Sequence, residues 1–232
     1  MKYDIIMYDL DGTLFNYEIA EENALEKTLN YFYPNCNIEA AKKYYREINA
    51  EIWKLFELKN ITAEKLRVER FRRLIQNRLF ANFGKLDPHE LSEMYLNNLA
   101  SSAILLDGAL EVVSFFHKKV RQLIISNGLS DVQYSRINRS PLVDFFTDIF
   151  ISEEIGSPKP DAGIFDHIQN KIGFNDKTRV IIVGDNLYSD IKGGNDFGVD
   201  TCWFNYNNLH NETGIRPKYE IKNLKELIRI IK

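Results

Sequence analysis

The sequence predicts an α/β fold in which a parallel β-sheet is interrupted, after its first strand, by an all-helical segment. From about residue 101 onward, short continuously apolar segments alternate with helical patterns, which is typical of a parallel sheet covered on both faces. Between residues 17 and 100, apolar residues instead recur at helical spacing. We therefore expect residues 1–16 and 101–232 to form an α/β domain, and residues 17–100 to form a helical domain inserted into it.

The predicted elements of the α/β part alternate regularly along the chain. Strands are predicted at residues 5–8, 123–125, 148–151, 180–183 and 201–204. Helices are predicted at residues 109–119, 130–139, 161–172, 188–197 and 223–231. In the inserted segment, stripes such as Leu25, Leu29 and Phe32 predict a bundle of about four helices.

The composition excludes several classes of protein. A net charge of −3 and a pI of about 5.9 argue against a partner that is a nucleic-acid polymer. No apolar run approaches the ~20 residues that span a bilayer, so no membrane association is expected. Cys36 and Cys202 lie far apart and outside any CxxC pair, and the chain enters a strand without a signal peptide. These features predict a cytoplasmic protein.

The most informative segment is Asp9-Leu10-Asp11-Gly12-Thr13, which directly follows the first predicted strand. Side chains alternate in an extended segment, so Asp9 and Asp11 can point the same way. Two such carboxylates repel each other, and a divalent cation would relieve the repulsion. Gly12 permits a sharp turn beyond the strand. Taken alone, the segment would also suit a strand followed by an acidic turn.

Polar residues also follow three of the later predicted strands. They are Ser126, Asn127 and Gly128 after the second strand, Lys159 after the third, and Asp185, Asn186 and Asp190 after the fourth. Because the carboxyl ends of parallel strands share one edge of a sheet, we expect these residues to meet Asp9 and Asp11 there. Each residue alone could be a helix cap or a solvated side chain. Four polar clusters at one edge instead indicate a site.

These four motifs resemble those of the haloacid dehalogenase-like phosphohydrolases. That family combines an apolar strand with DxDGT, a strand ending in Ser or Thr, a lysine ahead of a helix, and a strand ending in Gly-Asp with a further acid. All four are present in order, and the resemblance spans the whole chain. It implies a Rossmann-like core and identifies the helical insertion as similar to the C1-type cap of that family.

The resemblance also implies a role for each residue in the reaction. Asp9 would attack phosphorus and form an aspartyl-phosphate, while Asp11 would act first as acid and then as base. Lys159 would neutralise negative charge, and Ser126, with Asn127 and Gly128, would bind the phosphoryl oxygens.

The cofactor that the resemblance implies is Mg²⁺. Its expected ligands are the Asp9 carboxylate, the Asp11 backbone carbonyl and the Asp185 carboxylate. Asp190 and Asn186 would support these ligands from outside, Asp190 by holding a water on the metal or by orienting Lys159.

The substrate class is expected to be a small-molecule phosphate monoester. The stretch from Gly184 to Ile191, with Asp200 to Asn205, resembles the pyrimidine 5′-nucleotidase branch, whose substrates include dTMP, dUMP and UMP. At the crossing into the helical insertion, Phe15, Asn16 and Tyr17 are candidates for substrate contacts, with an aromatic ring stacking on a base. The same three residues would equally suit packing at a hinge.

Other functions remain open at this point. The alternatives within the family are a phosphoglycolate- or sugar-phosphate-type phosphatase, or a phosphomutase. A haloalkanoate dehalogenase is disfavoured because that branch usually lacks the second acid and the Gly-Thr found here as Asp11-Gly12-Thr13. A non-catalytic phosphate-binding protein is disfavoured because every motif residue is present. Either a monomer or a homodimer is expected.

Overall fold

The computed structural model describes residues 1–84 and 86–232. The chain forms two compact units. One combines Met1–Tyr17 with Ala103–Lys232, and the other is Glu18–Ser102. The sequence-based boundaries, after residues 16 and 100, fall beside these bounds. The assignment of the second unit as a cap domain stays a prediction.

A six-stranded parallel sheet forms the centre of the first unit. Its strands are β1 (Ile5–Tyr8), β2 (Arg121–Ser126), β3 (Asp148–Ile151), β4 (Val180–Gly184), β5 (Asp200–Phe204) and β6 (Tyr219–Ile221). They lie in the order β3-β2-β1-β4-β5-β6, and every neighbouring pair is parallel. The predicted α/β class is confirmed. Strand β6 was not predicted, because three residues are too few for a period of two to stand out.

Helices cover both faces of this sheet. They are α5 (Ala109–Phe116), α6 (Ser130–Arg139), α7 (Ser152–Ile155), α8 (Ala162–Ile172), α9 (Gly193–Phe197) and α10 (Leu227–Ile231). Three 3₁₀ turns accompany them at Val143–Phe145, Lys177–Arg179 and Leu224–Glu226. The predicted helix at 109–119 ends earlier, since Lys118 adopts a left-handed φ of 59°. The predicted helix at 188–197 begins as a π-helical turn, Leu187–Lys192.

Residues that alternate along each central strand face two separate cores. Ile6 and Tyr8 of β1 belong to the core on one face, which also contains Val112 and Phe116 of α5. Ile5 and Met7 belong to the core on the other face, with Phe165 of α8. Burial on both faces explains why β1 is a continuous apolar run, and why its polar residues begin where the strand ends.

The second unit contains most of α1 (Tyr17–Phe32), followed by α2 (Ile38–Glu57), α3 (Ala63–Ile75), a 3₁₀ turn (Arg78–Phe80) and α4 (Pro88–Ala100). Asn37, Thr62 and Asp87 cap the amino ends of α2, α3 and α4 with their side chains. Helix α3 packs against both α2 and α4. None of the helices in the described part of the chain is long and apolar enough to cross a membrane.

Candidate active site

The polar residues predicted to meet lie at the carboxyl edge of the three central strands. Asp9 follows β1, and its backbone N–H donates to the Val183 carbonyl at 2.9 Å, which extends the pairing with β4 beyond the strand. Ser126 is the last residue of β2, and Gly184 is the last of β4. The ends of neighbouring parallel strands therefore present Asp9, Ser126 and the residues after Gly184 side by side.

Lys159 joins the residues of this edge through a buried ammonium group. Its Nζ donates to Asp9 Oδ1 at 2.5 Å, to Asp190 Oδ1 at 2.7 Å and to the Ile125 carbonyl at 2.8 Å. The residue is 1% exposed. All three ammonium protons thus have acceptors, and two of those acceptors are carboxylates.

The loop that carries Lys159 is fixed by Asn127. The Asn127 amide donates to the Lys159 carbonyl at 2.9 Å, and its oxygen accepts from the Lys159 backbone N–H at 2.8 Å. The following peptide bond, Lys159–Pro160, is cis. The side chain of Asn127 therefore holds the lysine loop, a role that the sequence did not indicate. Its predicted contact with phosphoryl oxygens stays a prediction.

The residues after β4 form the other wall of the site. Asp190 Oδ2 accepts from the Asn186 backbone N–H at 3.1 Å, and the Asn186 side chain caps the π-helical turn. The indole N–H of Trp203, on β5, donates to the Asp185 carbonyl at 2.8 Å. A Cβ on Gly184 would lie 2.2 Å from Asp190. The backbone here is packed around the two carboxylates.

Three carboxylates converge and form a candidate metal centre. Asp9, Asp185 and Asp190 each offer an oxygen, and these atoms lie within 4.8 Å of one another. A Cβ at Gly12, whose φ is +83°, would lie 2.4 Å from Asp185 Oδ2, so glycine is needed there. Carboxylate oxygens are the donors that Mg²⁺ prefers, and the donor set therefore fits this ion.

The pKa values of these residues also favour a bound cation at this position. Burial, opposed in part by Lys159 and reinforced by Asp190, raises the pKa of Asp9 to about 7. Burial and the carboxylates of Asp9 and Asp190 raise the pKa of Asp185 well above its usual range. Burial disfavours the charge of Lys159, yet Asp190 and Asp9 raise its pKa overall. One buried ammonium does not neutralise three carboxylates, and a divalent cation would supply the missing positive charge.

Asp11 lies in a second polar cluster, which it forms with Gln133 and Arg136. Gln133 Nε2 donates to Asp11 Oδ2 at 2.6 Å, and Arg136 Nη1 donates to Asp11 Oδ1. The Asp11 side chain remains 26% exposed, whereas that of Arg136 is fully buried. Each carboxylate of the first motif thus has its own cationic partner, Lys159 for Asp9 and Arg136 for Asp11.

Ser126 belongs to this second cluster through Gln133. Its hydroxyl oxygen accepts from Gln133 Nε2 at 2.9 Å and from the Gly128 backbone N–H at 3.1 Å. Neither Gln133 nor Arg136 was among the site residues predicted from the sequence. Their spacing of three residues places them on the same side of α6, and this pairing of polar residues, one helical turn past Gly128, is the signal that could have revealed them.

The three residues considered for substrate contacts differ in exposure. Phe15 is fully buried within the core, and the Arg136 guanidinium lies 4.7 Å from the centre of its ring. Its ring is therefore not available for stacking on a substrate. Asn16 and Tyr17 are half-buried, and the Asn16 backbone N–H donates to the Ile104 carbonyl at 2.8 Å. The Tyr17 ring lies 5.9 Å from the same guanidinium.

The chain is similar to proteins of one known enzyme family. The family model for haloacid dehalogenase-like hydrolases matches residues 6–204. Pyrimidine 5′-nucleotidase PynA of Streptococcus pneumoniae is 35% identical over 98% of this chain and 94% of its own length. Pyrimidine 5′-nucleotidase YjjG of Escherichia coli is 31% identical over 100% of this chain and 99% of its own length.

A solved structure of a related protein has the same fold as this chain. The magnesium-bound structure of the HAD-hydrolase YfnB from Bacillus subtilis superposes with a TM-score of 0.88, at 33% identity and over 100% of both chains. The family match covers more than half of the chain and includes the strand ends that carry Asp9, Ser126 and Asp185. The chain therefore belongs to the haloacid dehalogenase-like hydrolase family, as its four motifs predicted.

Proposed function

We propose that the protein is a Mg²⁺-dependent phosphatase that hydrolyses small-molecule phosphate monoesters through an aspartyl-phosphate on Asp9. The observation that carries the proposal is the buried Lys159 ammonium between Asp9 and Asp190, with Asp185 beside them. The broader prediction from the sequence, a phosphoric monoester hydrolase, is confirmed by the family match and by the two nucleotidase relatives.

In the first half of the reaction, an oxygen of Asp9 attacks phosphorus and the bond from phosphorus to the ester oxygen breaks. Lys159 keeps the Asp9 carboxylate oriented through its 2.5 Å hydrogen bond and offsets the negative charge that gathers as phosphate approaches. Thr13 Oγ1, at 3.2 Å from Asp9 Oδ2, restrains the other carboxylate oxygen. Asp11 gives its proton to the departing oxygen, which leaves as an alcohol.

In the second half, water attacks the phosphorus of the aspartyl-phosphate and the bond between phosphorus and the Asp9 oxygen breaks. Asp11, now ionised, takes the proton of that water, so both aspartates return to their initial states. Mg²⁺, when bound by the carboxylates of Asp9 and Asp185, would stabilise negative charge on the phosphoryl oxygens. The predicted contribution of the Asp11 backbone carbonyl to the same ion belongs to this proposal.

Ser126 and the backbone around Gly128 are suited to bind the phosphoryl group. The Ser126 oxygen already accepts two N–H groups, from Gln133 and Gly128. A hydroxyl has two lone pairs and one proton, so the Ser126 proton is left to donate to an anion. Asn127 and Asn186 contribute by holding the lysine loop and the π-helical turn in place.

The substrates that we propose are pyrimidine nucleoside monophosphates such as dTMP, dUMP and UMP. Two relatives above 30% identity over nearly their whole length are pyrimidine 5′-nucleotidases. A more distant relative, the glyceraldehyde 3-phosphate phosphatase of Pyrococcus abyssi, is 28% identical over 98% of this chain. A sugar-phosphate-type phosphatase is therefore the second candidate.

The experiment is a phosphate-release assay on a panel of pyrimidine and purine nucleoside monophosphates, sugar phosphates and phosphoglycolate, with Mg²⁺ and with chelator. We expect pyrimidine nucleotides to be preferred and the activity to disappear with chelator. Asp9→Asn, an isosteric change, is expected to abolish turnover while the protein stays folded. A preference for sugar phosphates would retain the mechanism and change the substrate class. Normal turnover by folded Asp9→Asn would refute the mechanism.

A further inference from the structure

The structure holds a polar cluster that the mechanism above uses only in part. Two side chains of α6, Gln133 and Arg136, bracket the Asp11 carboxylate, with one donor on each of its oxygens. Both side chains are buried, whereas Asp11 is partly exposed. A carboxylate with one open side and two fixed donors behind it is held in place without being closed off from a substrate.

Gln133 also links two parts of the site that lie far apart in sequence. Its amide nitrogen donates to Asp11 Oδ2 at 2.6 Å and to Ser126 Oγ at 2.9 Å. Its amide oxygen accepts from Arg136 Nη1 at 3.1 Å. Both the nitrogen and the oxygen of the Gln133 amide are therefore hydrogen-bonded to residues of the site. One amide fixes the distance between the predicted acid and the predicted phosphoryl-binding hydroxyl.

The backbone is shaped to admit this amide. A Cβ on Gly128 would lie 2.2 Å from Gln133 Nε2, so any larger residue at 128 would push the glutamine out. Arg136 is fixed in turn by Phe15, whose buried ring packs on the guanidinium at 4.7 Å. Phe15 and Gly128 thus pack closely around the side chains of Arg136 and Gln133.

From this geometry we propose that Gln133 and Arg136 are positioning residues for the proton-transfer step. They hold the Asp11 carboxylate at a fixed distance from the Ser126 hydroxyl, so that the acid lies at the leaving oxygen when the phosphoryl group is bound. The proposal rests on the phosphatase function proposed above. It assigns to two residues of α6 a role in the reaction, although neither residue belongs to the four family motifs.

The first test compares two kinds of phosphate ester. An alkyl phosphate, the best one of the substrate panel, needs a proton on its leaving oxygen, whereas 4-nitrophenyl phosphate releases a stable anion without one. For Gln133→Leu and Arg136→Met we expect kcat/KM to fall about tenfold to a hundredfold on the alkyl phosphate and less than about threefold on the aryl phosphate. Arg136→Lys, which keeps the charge, should recover part of the loss.

Two control variants separate positioning from stability. Gln122→Leu removes an equally buried glutamine, on β2, that donates to the Val113 carbonyl at 3.0 Å. Arg139→Met removes an exposed arginine of α6. Both should leave the ratio of the two kcat/KM values unchanged, even where Gln122→Leu lowers Tm. In an Asp11→Asn background, Gln133→Leu should have little further effect, because the group that it positions is gone.

Several results would overturn the proposal. They are an equal loss on both esters, no loss, a gain in activity, or effects that add in the Asp11→Asn background. A readout independent of turnover is the crystal structure of Gln133→Leu, in which we expect the Asp11 carboxylate to shift away from Ser126. An unmoved Asp11 would refute the positioning role even in a protein without phosphatase activity. A wild-type protein that hydrolyses neither ester would instead refute the proposed function.

Discussion

The α/β unit and the helical unit each bury a long cationic side chain, and they surround it differently. Lys159 of the α/β unit, 1% exposed, contacts the carboxylates of Asp9 and Asp190 directly. Arg70 of the helical unit is also 1% exposed. Its guanidinium carbon lies 4.8 Å from the Tyr95 ring centre and 5.5 Å from that of Phe71.

The polar partners of the two cations differ as well. Arg70 Nη1 donates to Asn49 Oδ1 at 3.2 Å, and Asn49 Nδ2 donates onward to Glu21 at 2.7 Å. Asn49 thus connects Arg70 to a half-buried carboxylate of α1. Around Lys159, three carboxylates gather about a single ammonium. Burial, together with the neighbouring carboxylates, raises the pKa values of Asp9 and Asp185.

A buried cation therefore does not by itself mark an active site. Arg70 sits between aromatic rings of α3 and α4, where its charge and its stem both contribute to packing. Lys159 instead belongs to a cluster with an excess of negative charge, which is costly until a cation binds. We therefore expect the Lys159 cluster to determine activity and the Arg70 cluster to determine stability.

The largest expected effect is that of Lys159→Met on activity. Removing the ammonium leaves Asp9 without its orienting partner and leaves the incoming phosphate without a compensating charge. One such contact is worth about 4 kcal/mol at an effective dielectric of about 20, so kcat/KM with Mg²⁺ should fall by about 10³-fold. Lys192→Met removes a half-buried lysine of the π-helical turn, whose ammonium pairs with Asp196; it is the matched control and should behave as wild type. A loss below tenfold in folded Lys159→Met would contradict this expectation.

The positions of the strands could be predicted from sequence because burial on both faces makes them uninterrupted apolar runs. Strand β6 could not, since Tyr219–Ile221 is short and its pairing with β5 depends on the rest of the sheet. The predicted last helix, at residues 223–231, is instead a 3₁₀ turn followed by the short α10. Local periodicity does not distinguish these two kinds of helical turn.

The motif residues could be predicted because the carboxyl ends of parallel strands lie at one edge of the sheet, independently of the conformation of the loops. Their partners could not, because Gln133, Arg136 and Trp203 act through contacts across the fold. Trp203, for example, lies 18 residues from the Asp185 carbonyl that it holds. Asn127 shows the same limit, since its place after β2 is evident from sequence and its bonds to the Lys159 backbone are not.

The next expected effect tests the other half of the comparison. Arg70→Met keeps the packing of the stem and removes the guanidinium from Asn49 and from the two rings. We expect the free energy of unfolding to fall by about 3 kcal/mol, or Tm by about 6–12 °C, with kcat/KM within about threefold of wild type. Arg72→Met is the control, because Arg72 is exposed and its ion pair with Glu69 should contribute less than about 1 kcal/mol. A loss of activity without a loss of stability would make the Arg70 cluster functional.

Metal binding should depend on pH in a direction set by Asp9. Its pKa is raised to about 7, so in the metal-free protein the stabilising proton is fully present below about pH 4 and is lost as pH rises through about 7. Mg²⁺ replaces that proton, and its stabilisation should therefore be about 1–2 kcal/mol greater at about pH 8 than at about pH 6. The measurement is Tm with Mg²⁺ and with chelator at both pH values. Asp185→Asn should abolish the shift, and an equal shift at the two pH values would refute the role given to Asp9.

The smallest expected effect concerns the support behind Asp185. Trp203→Phe keeps a buried aromatic ring and removes the N–H that donates to the Asp185 carbonyl at 2.8 Å. One such bond is worth about 1 kcal/mol, so the Mg²⁺ concentration that gives half-maximal activity should rise by about fivefold. Trp53→Phe makes the same substitution at the other tryptophan of the chain, in the helical unit, and should leave that concentration unchanged. If both variants moved it equally, the carbonyl contact would have no specific part in holding Asp185, and the helical unit would influence the metal centre as strongly as the sheet that carries it.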